Sequence, residues 1–210
     1  MRFTGGGQSR RMAHRFIRLL LVRFALALPV PVLGADVTLT IEPRWRGAAL
    51  PIPSLEVVTA EQQIVRFTRL AAILSGVSLL RTDGGVVRLD GQFGAIDFAT
   101  GRREVRLQGV PEGEYAGLAF QLGVPPEINH ADPGRWPARH PLNPLVNGLH
   151  WSWQGGYVFF ALEGRWLASD GEERGFLYHL GTDAHLMTVQ FVAAFRVEAA
   201  TAITLAVDLA

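Results

Sequence analysis

The sequence predicts an all-β protein: a single β-sandwich domain with one long Pro-rich functional loop, preceded by a signal peptide. Three observations carry that expectation. Short apolar–polar alternations recur along the chain, 23 glycines and 12 prolines punctuate them, and no stretch has the period of a long amphipathic helix. With 49% hydrophobic and 19% charged residues among 210, the chain has material for a real core and lacks the composition of a disordered one.

Residues 1–34 read as the signal peptide. They hold six arginines and no acid, then the apolar stretch Leu19–Val22 and Phe24–Leu33 interrupted by Arg23. Val32-Leu33-Gly34 places modest side chains before a cleavage point at Ala35, and Met12 offers an alternative start of more ordinary signal length. Arg23, Pro29 and Pro31 leave fewer than the roughly 20 apolar residues of a spanning helix, so no membrane span is expected after cleavage. The location implied is periplasmic or secreted.

From Val37 the strands follow in order. Val37–Ile41 alternates with period two, and Gln63–Phe67, Leu70–Leu74 and Val77–Leu80 follow it. Asp83-Gly84-Gly85 is a turn signal before Val86–Leu89, which makes a hairpin. Arg103–Val110 alternates again, Pro111-Glu112-Gly113 turns the chain into Tyr115–Val124, and Tyr157–Leu162, Phe176–Leu180, Leu186–Phe195 and Ala202–Leu209 complete the series. Residues 35–210 are expected to form one domain. Pro125 to Gly148 breaks the rhythm with six prolines and a set of polar and aromatic residues, and a segment of that length in a compact domain is usually functional.

Composition excludes several chemistries. There is no cysteine, so no disulfide, thiolate cluster, thiol nucleophile or blue-copper centre is available. All 20 basic residues are arginine, which removes a Schiff-base lysine and a P-loop. Setting aside the six N-terminal arginines leaves fourteen against 19 acids, a net charge of −5, which argues against nucleic acid as a partner. Ser152 lacks a nucleophile elbow, and Glu163, Asp170, Glu172 and Glu173 have the spacing of a solvated turn. No constellation for an enzyme working alone is found.

Five histidines follow the leader: His130, His140, His150, His179 and His185. Neutral imidazole is the commonest nitrogen ligand and suits copper, zinc, iron or nickel, while the ordinary alternative is a set of surface or hydrogen-bonded histidines. Trp151 and Trp153 stand two apart, so on a strand they share one face. That face packs into a core, stacks on a sugar, or sits beside a metal as an oxidisable ring.

Phe120-Gln121-Leu122-Gly123-Val124-Pro125, Asn129-His130, Asp132-Pro133 and Pro141-Leu142-Asn143 together resemble the MbnP-like family of exported proteins. Trp151-Ser152-Trp153-Gln154, Gly156-Tyr157, Glu163 and His179-Leu180-Gly181 continue the resemblance, as do Thr68-Arg69-Leu70 and Pro111 through Tyr115. What the resemblance implies is a copper-binding β-sandwich, a metallo-mystery-pair protein whose partner is a dihaem cytochrome c peroxidase-like protein. It further implies His130 and His179 as ligands and a tryptophan oxidised to kynurenine, with Trp151, Trp153 and Trp136 as candidates. The chain departs from a large branch of the family in having no cysteine, and in placing His150 before Trp151. The function implied is copper acquisition, storage or delivery by a protein that is not itself an enzyme. The alternative is a metal-free exported module that binds a protein partner or a glycan.

Overall fold

A computed structural model describes residues 34–151 and 155–210. The signal-peptide reading and the start at Met12 concern residues that, Gly34 apart, lie outside that range, and so does Trp153. Among the described residues the strands are β1 (Ala35–Trp45), β2 (Ala48–Ala49), β3 (Val57–Val58), β4 (Ile64–Arg81), β5 (Val86–Arg88), β6 (Gly94–Asp97), β7 (Glu104–Val110) and β8 (Gly113–Leu122). After the long loop come β9 (His150–Trp151), β10 (Gly156–Leu167), β11 (Glu173–Gly181), β12 (Met187–Val197) and β13 (Ala200–Asp208).

The strands make two sheets packed as a sandwich. In the smaller one β1 pairs in parallel with β13, from Asp36 opposite Ala200 to Arg44 opposite Asp208, and antiparallel with β7 and β2. Alternation sets its inner face: Val37, Leu39, Ile41, Val105 and Leu107 are buried. The larger sheet runs β11-β10-β4-β8-β12, with β3, β5 and β6 also pairing with β4. Tyr115, fully buried, donates its hydroxyl to Pro111 O at 2.6 Å and so ties the start of β8 to the turn before it.

β4 corrects the expectation of three separate strands. Its 18 residues run unbroken because Ser75-Gly76, which reads as a break, forms a bulge: Gly76 takes φ +55° and the register to β8 shifts between Ser75 and Ser78. The predicted hairpin at Asp83-Gly84-Gly85 is present, with Gly84 at φ +89° and Leu80 opposite Val86.

The middle of β4 is buried on both sides. Leu70, Ala72 and Leu74 face the smaller sheet, whereas Ala71 and Ile73 belong to a second core with Val124, Leu142, Leu149, Tyr157, Phe159 and Ala161. That second core exists because the Pro-rich segment folds down on the outer face of the sheet. It is not structureless: α1 (Pro126–Asn129), a 3-10 turn at Pro133–Arg135 and α2 (Pro144–Asn147) each begin at proline, whose fixed φ and missing N–H suit a first helical position. Asp132 and Asn143 cap the second and third by accepting from Gly134 N and Leu145 N.

Candidate functional site

The site lies where the loop meets the β10–β11 hairpin. His130 follows α1 directly, and Asn129 before it is buried with both ends of its amide engaged. Asn129 Oδ1 accepts from Tyr157 N at 2.8 Å, and its Nδ2 donates to Asp183 Oδ1 at 2.8 Å. The residue thus fastens loop, strand and the turn after β11 to one another. His130 Nε2 then meets the other carboxylate oxygen, Asp183 Oδ2, at 2.8 Å.

His179 is held in the same manner from a different element. It lies on β11 opposite Ala161, so the diagonal neighbour on its face is Glu163 of β10, and His179 Nε2 stands 3.0 Å from Glu163 Oε1. Glu163 is in turn opposite Arg69 of β4, which donates to it at 3.2 Å and to Asp97 Oδ2 at 3.0 Å. Asp97 is buried and also accepts from Ala99 N. A chain of charge therefore runs Asp97–Arg69–Glu163–His179 along the outer face of the sheet. Burial differs between the two histidines: the His130 side chain is 63% exposed, the His179 side chain 26%. His179 is fixed, and His130 stands on an open rim.

The tautomer follows from the partners. An ionised carboxylate only accepts, so each Nε2 carries the proton and, in the neutral ring, each Nδ1 keeps the lone pair. Asp183 is held ionised, its carboxyl pulled below the ordinary 3.8 chiefly by the bond from His130 and then by that from Asn129. Neither Nδ1 has a hydrogen-bond partner among the described residues. An imidazole that gives one nitrogen to a carboxylate and leaves the other open is the arrangement that orients and strengthens a metal-ligating histidine.

Trp151 stands beside His179. Its ring lies 6.5 Å from the His179 ring and against Gly181, where an added Cβ would stand 2.5 Å from Trp151 Cζ3 and 2.8 Å from Tyr157 O. Glycine at 181 is what lets the indole approach the hairpin. Thr182 beside it takes φ +71° and ψ 152°, a region costly for a β-branched residue, and that turn carries Asp183.

A model of the MbnP family matches residues 34–210. The chain belongs to the MbnP family. Among solved structures, MbnP from Methylosinus trichosporium is similar, with a TM-score of 0.52 and 17% identity over 78% of this chain and 72% of that one. A likeness at that identity speaks for the fold. Comparison with curated proteins returns no match.

Within this family fold, each of the two histidines expected from the motifs meets a carboxylate, His130 that of Asp183 just beyond β11 and His179 that of Glu163 within the β10–β11 hairpin. Trp151 stands beside His179, whereas Trp136 packs elsewhere. Trp136 stacks on His140 at 4.1 Å between rings, under the Arg135 guanidinium and edge-on to Phe93. His140 belongs to that stack, and its pKa is lowered from 6.5 by burial first and by Arg135 second. His150 packs edge-on against Tyr157, with burial lowering its pKa. His185 Nδ1 faces Gly181 O at 2.6 Å.

Glu163 is a correction. It is not part of a solvated turn but sits inside β10, directly between Arg69 and His179; Asp170 does lie in the turn. Asp183, Arg69 and Asp97 likewise received no role from sequence. Glu163 and Arg69 stood in the motifs of the family resemblance, but their pairing rests on opposite charge at facing positions of neighbouring strands, which requires knowing the register.

Proposed function

We propose that this chain is an exported copper-binding protein that acquires, stores or delivers the metal, with His130 and His179 as its ligands. The observation that carries the reading is that both imidazoles of an MbnP-family fold give Nε2 to a carboxylate and leave Nδ1 without a hydrogen-bond partner among the described residues. The donor set fits the ion: without thiolates, two imidazoles suit copper(I), which accepts low coordination numbers. Among the described residues no group of three or more His, Cys, Asp or Glu is gathered for a metal. A further donor would come from solvent, from a carboxylate released by its histidine, or from an oxidised tryptophan.

The chain's own residues then have defined parts. Glu163 and Asp183 set ring orientation and raise ligand basicity, Arg69 and Asp97 hold Glu163, and Asn129 sets the distance of the loop from the hairpin. His130, on the open rim, is the ligand able to release the cargo. Trp151 is the indole placed for oxidation to kynurenine by a dihaem cytochrome c peroxidase-like partner, because the chain has neither haem attachment nor redox cysteine. In this reading the protein is not an enzyme, and it works in the periplasm or outside the cell. No described helix is long and apolar enough to cross a membrane.

The deciding experiment uses protein exported by its own host, with metal analysis and intact mass on one sample and peptide mapping across Trp136 to Trp153. Near-stoichiometric copper is expected, with His130→Ala and His179→Ala each losing it and His140→Ala retaining it. An oxidised tryptophan would add the haem partner. Absence of copper after loading with copper(I), with an unmodified mass, would leave the metal-free binding module as the better reading.

A further inference from the structure

A second cluster lies away from the histidines, around the turn before β7. Fourteen arginines follow Gly34. Seven of them hold a carboxylate within 4.0 Å, and Arg46 and Arg135 lie over tryptophan rings. Four of the other five, Arg102, Arg103, Arg106 and Arg139, line two adjoining clefts, leaving Arg88 as the fifth. In a domain whose net charge is −5, a local group of four arginines unpaired among the described residues is against the trend. One acid, Glu104, shares the lining and makes no ion pair there, so the group keeps a net charge of +3.

The inner cleft has a volume of about 220 Å³, and Arg139 reaches it from the Pro-rich loop while Arg102 and Arg106 come from the β7 side. Arg102 is half-buried. Its Nη2 donates to Val146 O at 2.7 Å, but its Nη1 is buried and has no hydrogen-bond partner among the described residues. A buried N–H without an acceptor is costly, and on a guanidinium the cost is that of a charged group. Nη1 itself is closed to a ligand, so Arg102 adds uncompensated positive charge behind the cleft lining. A guanidinium fork matches the paired oxygens of phosphate, sulfate or carboxylate, and arginine is favoured over lysine for that geometry.

We propose that this cleft binds a small tetrahedral oxyanion of the phosphate or sulfate class, with Arg106 and Arg139 at its mouth and the charge of Arg102 behind them. The exposed Arg106 and Arg139 make the contacts from opposite sides, and Arg102, tied to Val146 O, supplies charge. The site is independent of the histidine pair and does not rest on the copper reading.

Calorimetric titration of the mature protein with inorganic phosphate, in a chloride buffer of about 0.15 M ionic strength, tests it. Saturable one-site binding with a Kd of about 1 mM or tighter is expected. Arg106→Gln and Arg139→Gln, both at exposed positions, should each weaken it about tenfold. Arg102→Gln, which removes charge without removing a ligand contact, should weaken it less, and circular dichroism would confirm that it folds. Vesicles of phosphatidylglycerol separate the sources of the group: sedimentation with vesicles, reversed by phosphate, assigns it to a lipid headgroup, and its absence beside phosphate binding assigns it to a free oxyanion. No saturable heat with wild type, or equal affinity in all three variants, would overturn the site.

Discussion

The two faces of the β4-centred sheet are built on opposite principles. Toward the smaller sheet, Leu70, Ala72 and Leu74 meet Leu39, Leu107 and Phe120 in hydrocarbon, leaving an apolar gap of about 150 Å³. Toward the Pro-rich loop, Ala71 and Ile73 meet Leu142, Leu149 and Tyr157, but this core is threaded with polar groups. Asp97, Asn129 and Asn147 are buried on that side, each hydrogen-bonded: Asn147 Nδ2 to Pro141 O at 2.8 Å, Tyr157 Oη to Leu142 O at 2.7 Å. Hydrophobic burial has magnitude without direction, so the inner face supplies cohesion and tolerates small shifts. Hydrogen bonds have direction, so the outer face fixes where His130 and His179 stand.

That contrast breaks if truncations on the two faces have the same consequences. The largest effect on stability is expected from Leu39→Ala on the inner face, about 2–5 kcal/mol by urea denaturation, with the copper bound per folded molecule unchanged. Asn129→Ala on the outer face should cost less, about 1–3 kcal/mol, because Tyr157 N and Asp183 lose a partner. It should nevertheless reduce copper retention more than Leu39→Ala does. Equal metal loss from both variants at matched folded fraction would remove the distinction.

The smallest effect sharpens the comparison through pH. His140 and His150 both have pKa values lowered by burial, so the unfolded chain takes up their protons first as acid is added. Their contribution is complete above the unfolded value of about 6.5 and is lost as pH falls through the lower folded values. Asp183, also lowered, acts in a more acid window: its contribution is present above 3.8 and lost as pH falls through its folded pKa. Urea midpoints measured from pH 7.5 downward should therefore begin to fall near pH 6.5, and His140→Phe should flatten the first part of that slope. A slope unchanged in His140→Phe would place the acid sensitivity elsewhere.

Much of the fold is legible in the chain. Val37–Ile41, Arg103–Val110 and the Asp83-Gly84-Gly85 turn read correctly because alternation and turn chemistry are local, and the Pro-rich segment reads as the functional loop because its composition breaks that rhythm. Ser75-Gly76 misleads because one dipeptide serves equally for a strand end and a bulge, and only pairing with β8 decides between them. The histidines themselves came from motif order. Their carboxylate partners did not, because Glu163 is 16 residues from His179 and Asp183 is 53 from His130.

The sequence by itself determined that this chain is a β-sandwich without thiol, lysine or disulfide chemistry, and that histidine and tryptophan are what remains for a site. Tertiary structure alone decided which residues stand beside one another. Strand register set Glu163 between Arg69 and His179, the folded loop brought His130 to Asp183, and the glycine at 181 admitted Trp151 while Trp136 went to its own stack. The physical reason is range: alternation and turn propensity act over a few neighbouring residues, whereas a hydrogen bond across strands depends on pairings that the whole sheet must form first.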